Sequence, residues 1–306
     1  VINTAISLYS HATLRLRDDE KIIIHSRDIG ETLCADNFTS SMLTKGRFGL
    51  IQALLKAIQP DFGFELYLHS DFPMNSGLGG SAVVSAAVLG CFNQFRRDQW
   101  DLHEVAELAY QAERLYLGVA GGWQDQYATV FGGFNFMEFG AQDKVIVNPL
   151  NIKPAYIAEL ESNLLLYYTA TSRVSSQIIE KQRENVIAKN IISIEATHQL
   201  KEQALLMKNA LLNGKIDEIG ALLDHGFQSK KQMAQGISNE SIDELYECAL
   251  KAGASGGKIN GAGGGGFMMF YCPGTSKYAV ENALKKYGGW SCSYQFTKQG
   301  LYTWQF

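Results

Sequence analysis

The chain has 306 residues, of which 46% are apolar and 19% charged, and this excludes a disordered or fibrous protein. Its 27 basic and 31 acidic residues leave a net charge of −4, so it carries no electrostatic footprint for nucleic acid or an anionic membrane. Five cysteines without a C-x-x-C pair, and six histidines without metal-ligand spacing, predict neither a disulfide framework nor a structural zinc site.

Reduced thiols fit a cytoplasmic protein. The longest apolar run, around residues 82–92, is too short to cross a bilayer. The opening residues do not read as a signal peptide, and none is expected. The chain opens on V-I-N-T-A-I-S-L-Y without an initiator Met, so a natural N-terminus is expected upstream. The length predicts two domains, with a boundary bracketed by Pro149 and Pro154: residues 1–150 and 151–306.

In chain order, residues 4–9, 12–17 and 21–25 read as strands of an antiparallel sheet. Residues 45–58 read as a helix ending before Pro60, and 65–69 as a strand. Residues 79–96 predict a buried helix. Residues 102–116 predict an amphipathic helix with Asp101 as N-cap. Residues 132–139 and 144–147 predict strands, as does the apolar run Asn163–Thr169. Residues 175–252 read as helical almost throughout, with breaks at Asn213-Gly214 and at Gly236. A glycine run, a strand at 267–271, a helix at 275–287 and two short strands close the chain. Helices and strands mix without βαβ regularity, which predicts an α+β protein of two segregated domains.

Thirty glycines are about one residue in ten, and they cluster. The first cluster lies in P-M-N-S-G-L-G-G-S-A, residues 73–82, where a loop opens an apolar helix. Backbone N–H groups and the positive end of a helix dipole meet there, which makes an anion site. Glycine lets phosphate oxygens approach backbone where a Cβ would clash. Ser76, Gly77, Leu78, Gly79, Gly80 and Ser81 are therefore candidate phosphate-binding residues. A tight loop packing a buried helix explains the same residues. Gly77–Ala82 also fits G-x-G-x-x-A, but it does not leave a strand directly, and Asp98 follows the helix instead of ending a strand. No G-K-[ST] is present, so a Walker loop is excluded.

Phosphoryl transfer needs an acid for the metal and often one for the nucleophile's proton. Glu113 on the 102–116 helix and Asp125 in G-G-W-Q-D-Q-Y supply that pair. Alone, Glu113 equally reads as a solvated helix acid and Asp125 as an N-cap. The third cluster, G-G-K-I-N-G-A-G-G-G-G-F at 256–267, is harder to explain as structure. Successive glycines cost entropy on folding, and close backbone approach to a ligand would require them. Lys258 stands just before this loop.

Together these segments resemble the GHMP kinase superfamily, which includes galactokinase, homoserine kinase and mevalonate kinase. Pro73–Ala82 is similar to its P-x-x-x-G-L-G-S-S-A motif, with Gly80 in place of the first serine. Gly261–Phe267 is similar to its C-terminal glycine-rich loop. Within the superfamily, G-G-W-Q-D-Q-Y-A-T-V-F-G-G-F-N-F with G-A-G-G-G-G-F most resembles heptose 7-phosphate kinases and L-fucose kinases.

The resemblance implies a ribosomal-protein-S5-like N-terminal ATP-binding domain and a ferredoxin-like C-terminal domain with a helical insertion. It implies an active site between the domains. It implies an ATP- and Mg²⁺-dependent kinase acting on the anomeric hydroxyl of a sugar or sugar phosphate. Ser81 and Glu113 would then bind the metal, and Asp125 would act as base. Arg173, in a T-x-x-x-R pattern beginning at Thr169, would face substrate together with Gly263, Gly264, Gly265 and Lys258. Arg173 alone also reads as a surface arginine at a helix start.

The superfamily's first motif, a strand and glycine-rich loop, is expected upstream of Val1. A chain naturally lacking it would be a non-catalytic nucleotide or sugar sensor. Residues 176–212 leave open whether they pack internally or across a homodimer.

Overall fold

The computed structural model describes residues 1–39, 44–140, 144–171 and 175–306. They form two compact units. The N-terminal unit comprises Thr4–Met74, Gly79–Gly133 and Thr297–Phe306, and the C-terminal unit comprises Val1–Asn3, Asn75–Leu78 and Phe134–Phe296. The first strand, β1 (Ile2–Ile6), straddles the division.

The N-terminal unit continues with β2 (Ser10–Leu16), β3 (Ile22–Ser26), β4 (Glu31–Ala35), α1 (Gly49–Ile58), β5 (Phe64–Ser70), α2 (Gly80–Asn93), α3 (Leu102–Gln111) and α4 (Gln124–Phe131). Its sheet runs β2-β5-β3-β4. The reading of the first strands as one antiparallel set is corrected here. Strand β5 lies between β2 and β3, antiparallel to the first and parallel to the second. Helix α1 lies in the connection from β4 to β5, and parallel neighbours need such a crossover. The register pairs Ile22 with Phe64 and Ile24 with Leu66, so four apolar side chains share one buried face. Buried Ala82, Ala86, Leu89 and Phe92 of α2 add to this core, and the Phe92 ring meets Phe64 edge-on at 5.0 Å. Each large side chain buried here is worth about 1.5–3 kcal/mol.

Asp101 caps α3 as expected. Its side chain accepts from Glu104 N at 2.9 Å, and Glu104 returns a bond to Asp101 N at 2.8 Å. The helix does not run to residue 116 in α form. After Gln111 the chain makes one π-turn, Ala112–Tyr116, marked by Leu117 N donating to Ala112 O at 3.0 Å. The wider turn shifts the side chains that follow off the α-helical stripe.

The C-terminal unit holds β6 (Phe134–Phe139), β7 (Val145–Pro149), α5 (Pro154–Asn163), β8 (Leu164–Tyr168), α6 (Ser175–Ile187), α7 (Ile191–Asn213), α8 (Ile219–Met233), α9 (Glu240–Lys251), β9 (Gly256–Ile259), β10 (Phe267–Tyr271), α10 (Ser276–Leu284) and β11 (Trp290–Cys292). The last strand, β12 (Phe296–Thr297), straddles the division. One sheet runs β11-β8-β10-β9, and β6 pairs antiparallel with β7.

Strand β8 is buried throughout because its two faces feed two cores. Leu165 and Tyr167 pack with Phe227, Tyr246, Met268 and Phe270. Leu164 packs with Leu160, Met207, Leu211, Leu223 and Tyr271. This explains a continuous apolar run in an antiparallel strand.

The expected helical breaks occur at Gly214 and around Gly236. A further break at 188–190 was not expected; there Lys189 adopts φ 53° and Asn190 caps α7 by accepting from Ser193 N at 3.1 Å. Strand β9 takes up the start of what reads as one glycine run. A Cβ on Gly256 would run into the Gly220 carbonyl, so these two glycines let β9 approach α8 closely.

Candidate active site

The candidate residues fall into two groups, one in each unit. In the N-terminal unit, Gly79 precedes α2, and Ser81 is the second residue of that helix. Ser81 Oγ donates to Glu113 Oε2 at 3.0 Å. Glu113 sits on the π-turn and is 3% exposed. Its other oxygen accepts from Gln126 Nε2 at 3.0 Å. Arg114 Nη1 donates to Glu113 Oε2 at 3.2 Å and to the Val119 carbonyl, while Nη2 donates to the Gly122 carbonyl. Burial pushes the Glu113 carboxyl above its ordinary value, against the pull of Arg114, Gln126 and Ser81, and the nearby Asp125 charge adds to the rise.

Asp125 is the second residue of α4, a helix capped at Trp123 without a side-chain bond. Its Oδ1 accepts from Gln124 Nε2 at 3.3 Å. A Cβ built on Gly79 would stand 3.4 Å from the Asp125 side chain, so the acid lies against the backbone that opens α2. A Cβ on Gly80 would stand 3.3 Å from the Phe72 ring, a tight contact at the position where the motif has serine.

The first glycine of G-G-W-Q-D-Q serves the arginine. A Cβ on Gly121 would collide with the Arg114 guanidinium. Gln126 is not singled out from sequence, and Arg114 reads there only as an ion-pair partner of a solvated Glu113; the pair is present but Glu113 is buried. The only signal for Gln126 is its place beside Asp125. For Arg114 it is Gly121, which makes room for it.

In the C-terminal unit, Ser76, Gly77 and Leu78 keep company with the glycine run. Phe267 N donates to Ser76 O at 2.8 Å. Gly77 has φ +82°, and a Cβ there would stand 2.9 Å from the Asn260 carbonyl. Gly264 N donates to Ile237 O at 2.8 Å and Gly266 N to Thr171 O at 2.7 Å. Thr169 Oγ1 donates to Gly266 O at 2.9 Å. The Ser76 hydroxyl is buried and has no hydrogen-bond partner. Such an orphan costs about 1–3 kcal/mol, and a bound anion would satisfy it. Gly263 and Gly265 pack against the backbone of Ile237 and Thr171, and Lys258 lies on β9 at the register position opposite Met269. Arg173 lies outside the described residues.

Gly266→Ala tests whether this loop needs its glycine. Gly266 has φ +89°, and a Cβ would run into the Ser76 carbonyl. The left-handed backbone alone costs about 1–2 kcal/mol. The expected result is a lower Tm together with at least a tenfold loss of nucleotide affinity, read by thermal melting and calorimetry. Unchanged affinity would remove the loop from ligand binding.

Among the described residues no three His, Cys, Asp or Glu side chains group as a metal site on their own. The Ser81 hydroxyl and Glu113 carboxylate are hard oxygen donors in contact with each other. That set fits Mg²⁺, which is bound by one or two carboxylates and takes its other ligands from water and phosphates. No helix among the described residues is long and apolar enough to cross a membrane.

Residues 47–133 match the GHMP kinases N terminal domain and 207–289 match the GHMP kinases C terminal domain. The chain is 38% identical to the D-glycero-alpha-D-manno-heptose 7-phosphate kinase of Campylobacter jejuni, over 100% of this chain and 91% of the relative. A crystal structure of a D-glycero-D-manno-heptose 1-phosphate kinase from Bacteroides thetaiotaomicron is similar at TM-score 0.81 and 32% identity, covering 100% of this chain and 90% of that one. Lactococcus lactis galactokinase, complexed with galactose, shares the fold at TM-score 0.77 and 19% identity, covering 98% of this chain and 87% of that one. Two matched segments and an end-to-end relative settle the family: the chain belongs to the GHMP kinases and is a phosphotransferase.

Proposed function

We propose that the protein transfers the γ-phosphoryl group of ATP to the anomeric hydroxyl of D-glycero-D-manno-heptose 7-phosphate, giving the 1,7-bisphosphate. The observation that carries the reaction is the N-terminal unit's cluster of Asp125, Glu113 and Ser81 at the start of α2. The sugar is supported by 38% identity, along the whole chain, to a relative of that name.

Phosphoryl transfer asks a protein mainly for positioning and charge neutralisation. Ser76, Gly77 and Leu78, with Gly79 and Gly80, would place backbone N–H groups at the phosphates. Ser81 and Glu113 would hold Mg²⁺, which neutralises phosphate charge when bound. Asp125 would accept the proton of the attacking hydroxyl as its oxygen bonds to phosphorus and the bond to ADP breaks. Such a reaction uses the ATP of the cytoplasm.

Arg173 is proposed to hold the phosphate that the substrate already carries, with Lys258 as a second candidate and Gly263–Gly265 close to the sugar. A guanidinium offers two parallel donors to phosphate. One charge-assisted bond is worth about 1.5–3 kcal/mol, so Arg173→Ala should lower kcat/KM for heptose 7-phosphate by about 10–150-fold. It should change kcat/KM for the unphosphorylated sugar far less. Steady-state kinetics on both substrates decides this, and equal loss on both would move Arg173 to the transferred group.

The relatives' names differ in the position of the existing phosphate, and a bifunctional fucokinase/GDP-fucose pyrophosphorylase of Arabidopsis thaliana is 30% identical over 70% of this chain and 20% of its own length. ADP release should therefore be compared on heptose 7-phosphate, heptose 1-phosphate and L-fucose. Highest kcat/KM on L-fucose would replace the proposed sugar.

A further inference from the structure

We propose that Lys230 supplies the positive charge of the anion site formed by Ser76–Leu78 and the glycine run, where its ammonium reads a phosphate group. The inference rests on the kinase reading above and adds a residue that no motif contains.

Lys230 lies in the last turn of α8, and its Nζ donates to the Gly261 carbonyl. Gly261 is the point where the glycine run meets the other loop: a Cβ on Gly261 would stand 2.8 Å from Gly77 Cα. The ammonium is therefore held one residue's contact from the loop that carries the orphaned Ser76 hydroxyl. That hydroxyl is a second, independent sign of a missing anion, because a buried group of this kind ordinarily finds a partner. Glycine N–H groups and a serine hydroxyl offer dipoles but no net charge, and a phosphate carries up to two negative charges. A cation at the rim completes the site.

The neighbouring lysine shows that this placement is particular. Lys231 turns to Asp243, at 3.3 Å, and lies over the Phe227 ring at 5.1 Å. Asp243 in turn accepts from Ser238 Oγ at 2.8 Å. The end of α8 thus sends one lysine to a carboxylate that orders the 234–240 segment and the other to the glycine run. An ammonium has three donors and can hold a carbonyl and a phosphate oxygen together. The competing explanation is that Lys230 only complements the C-terminal end of the α8 dipole.

The phosphate has two sources in this reaction, the nucleotide and the sugar phosphate. The test titrates the full-length protein and its K230Q and K230R variants with ATP·Mg²⁺, adenosine, mannose 6-phosphate and mannose, by calorimetry, with a melting curve for each variant. K230Q retains a donor for the Gly261 carbonyl but removes the charge.

The expected result is at least tenfold weaker binding of K230Q to one of the two phosphate ligands. Binding of its unphosphorylated counterpart should stay unchanged, and K230R should come back to within about threefold of wild type. Which phosphate ligand is lost identifies the source. K230Q binding both phosphate ligands like wild type would overturn the proposal. So would a loss shared equally by adenosine or mannose, or one that arginine does not rescue, since these mark a structural role. Wild-type protein that binds no ATP would instead overturn the kinase reading on which the inference stands.

Discussion

Asp125→Asn lowers kcat by about 10²–10⁴-fold and leaves the protein folded. The expectation follows from where the carboxylate stands. It occupies the first turn of α4 and lies against Gly79, the residue from which α2 starts. A hydroxyl brought to that helix start would have the Asp125 carboxylate beside it as a base. Asparagine keeps the volume and still accepts from Gln124, so the local packing survives. What it loses is the proton-accepting charge and a favourable dipole interaction worth about 0.3–1 kcal/mol, which shifts Tm by only a few degrees in a protein of this size. Steady-state kinetics with a melting curve checks both halves. A variant retaining more than half of wild-type kcat would take Asp125 out of the chemistry.

Glu113→Gln produces a different pair of changes. The Mg²⁺ concentration for half-maximal rate rises by at least about tenfold, because even partners one shell beyond a metal ligand cost about 10–100-fold in affinity. Stability responds in the opposite sense. Burial raises the folded pKa of Glu113 above its ordinary value of 4.5. The unfolded chain therefore gives up this proton first. Below about pH 4.5 the group is neutral in both states and costs nothing. From about pH 4.5 up to the raised folded value the carboxyl ionises in the unfolded chain while burial opposes its ionisation in the folded one, so the folded state loses stability across that window and no more above it. Glutamine removes that charge, and Arg114 keeps the Val119 and Gly122 carbonyls. The variant's Tm should therefore be flatter with pH above 4.5 than that of the wild type, and equal or higher near neutrality without Mg²⁺. A variant less stable than wild type at every pH would show that Glu113 is held for the fold.

Much of this architecture is legible in the residues because local rules and tertiary demands agree there. Asp101 followed by Glu104 announces a capping box, and α3 starts on it. The all-apolar Leu164–Tyr168 run announces a strand covered on both faces. Pairing of β5 between β2 and β3 is not legible, since alternation reports which side is buried and not which strand is the neighbour. The π-turn at 112–116 is invisible for a related reason: A-E-R-L-Y suits an α-helix, and nothing in those five residues marks the wider turn.

At the candidate site, glycines report close approach without saying to what. Gly77 and Gly261 approach each other, Gly121 makes room for Arg114, and Gly256 admits α8. Glu113 is legible as an acid. Arg114 is its neighbour in the chain, but its partners Ser81 and Gln126 come from two other segments, and no local pattern joins them to it.

The central claim is phosphoryl transfer from ATP to the anomeric oxygen of a sugar that already carries a phosphate. ³¹P NMR of the full-length protein with ATP, Mg²⁺ and D-glycero-D-manno-heptose 7-phosphate tests it most directly. The account predicts that the γ-phosphate resonance of ATP disappears as ADP appears. A new phosphomonoester signal should grow in step, coupled to the anomeric proton, beside the unchanged 7-phosphate signal. No ADP above background with any hexose, heptose or their phosphates, or a new phosphate on an oxygen other than the anomeric one, would contradict it.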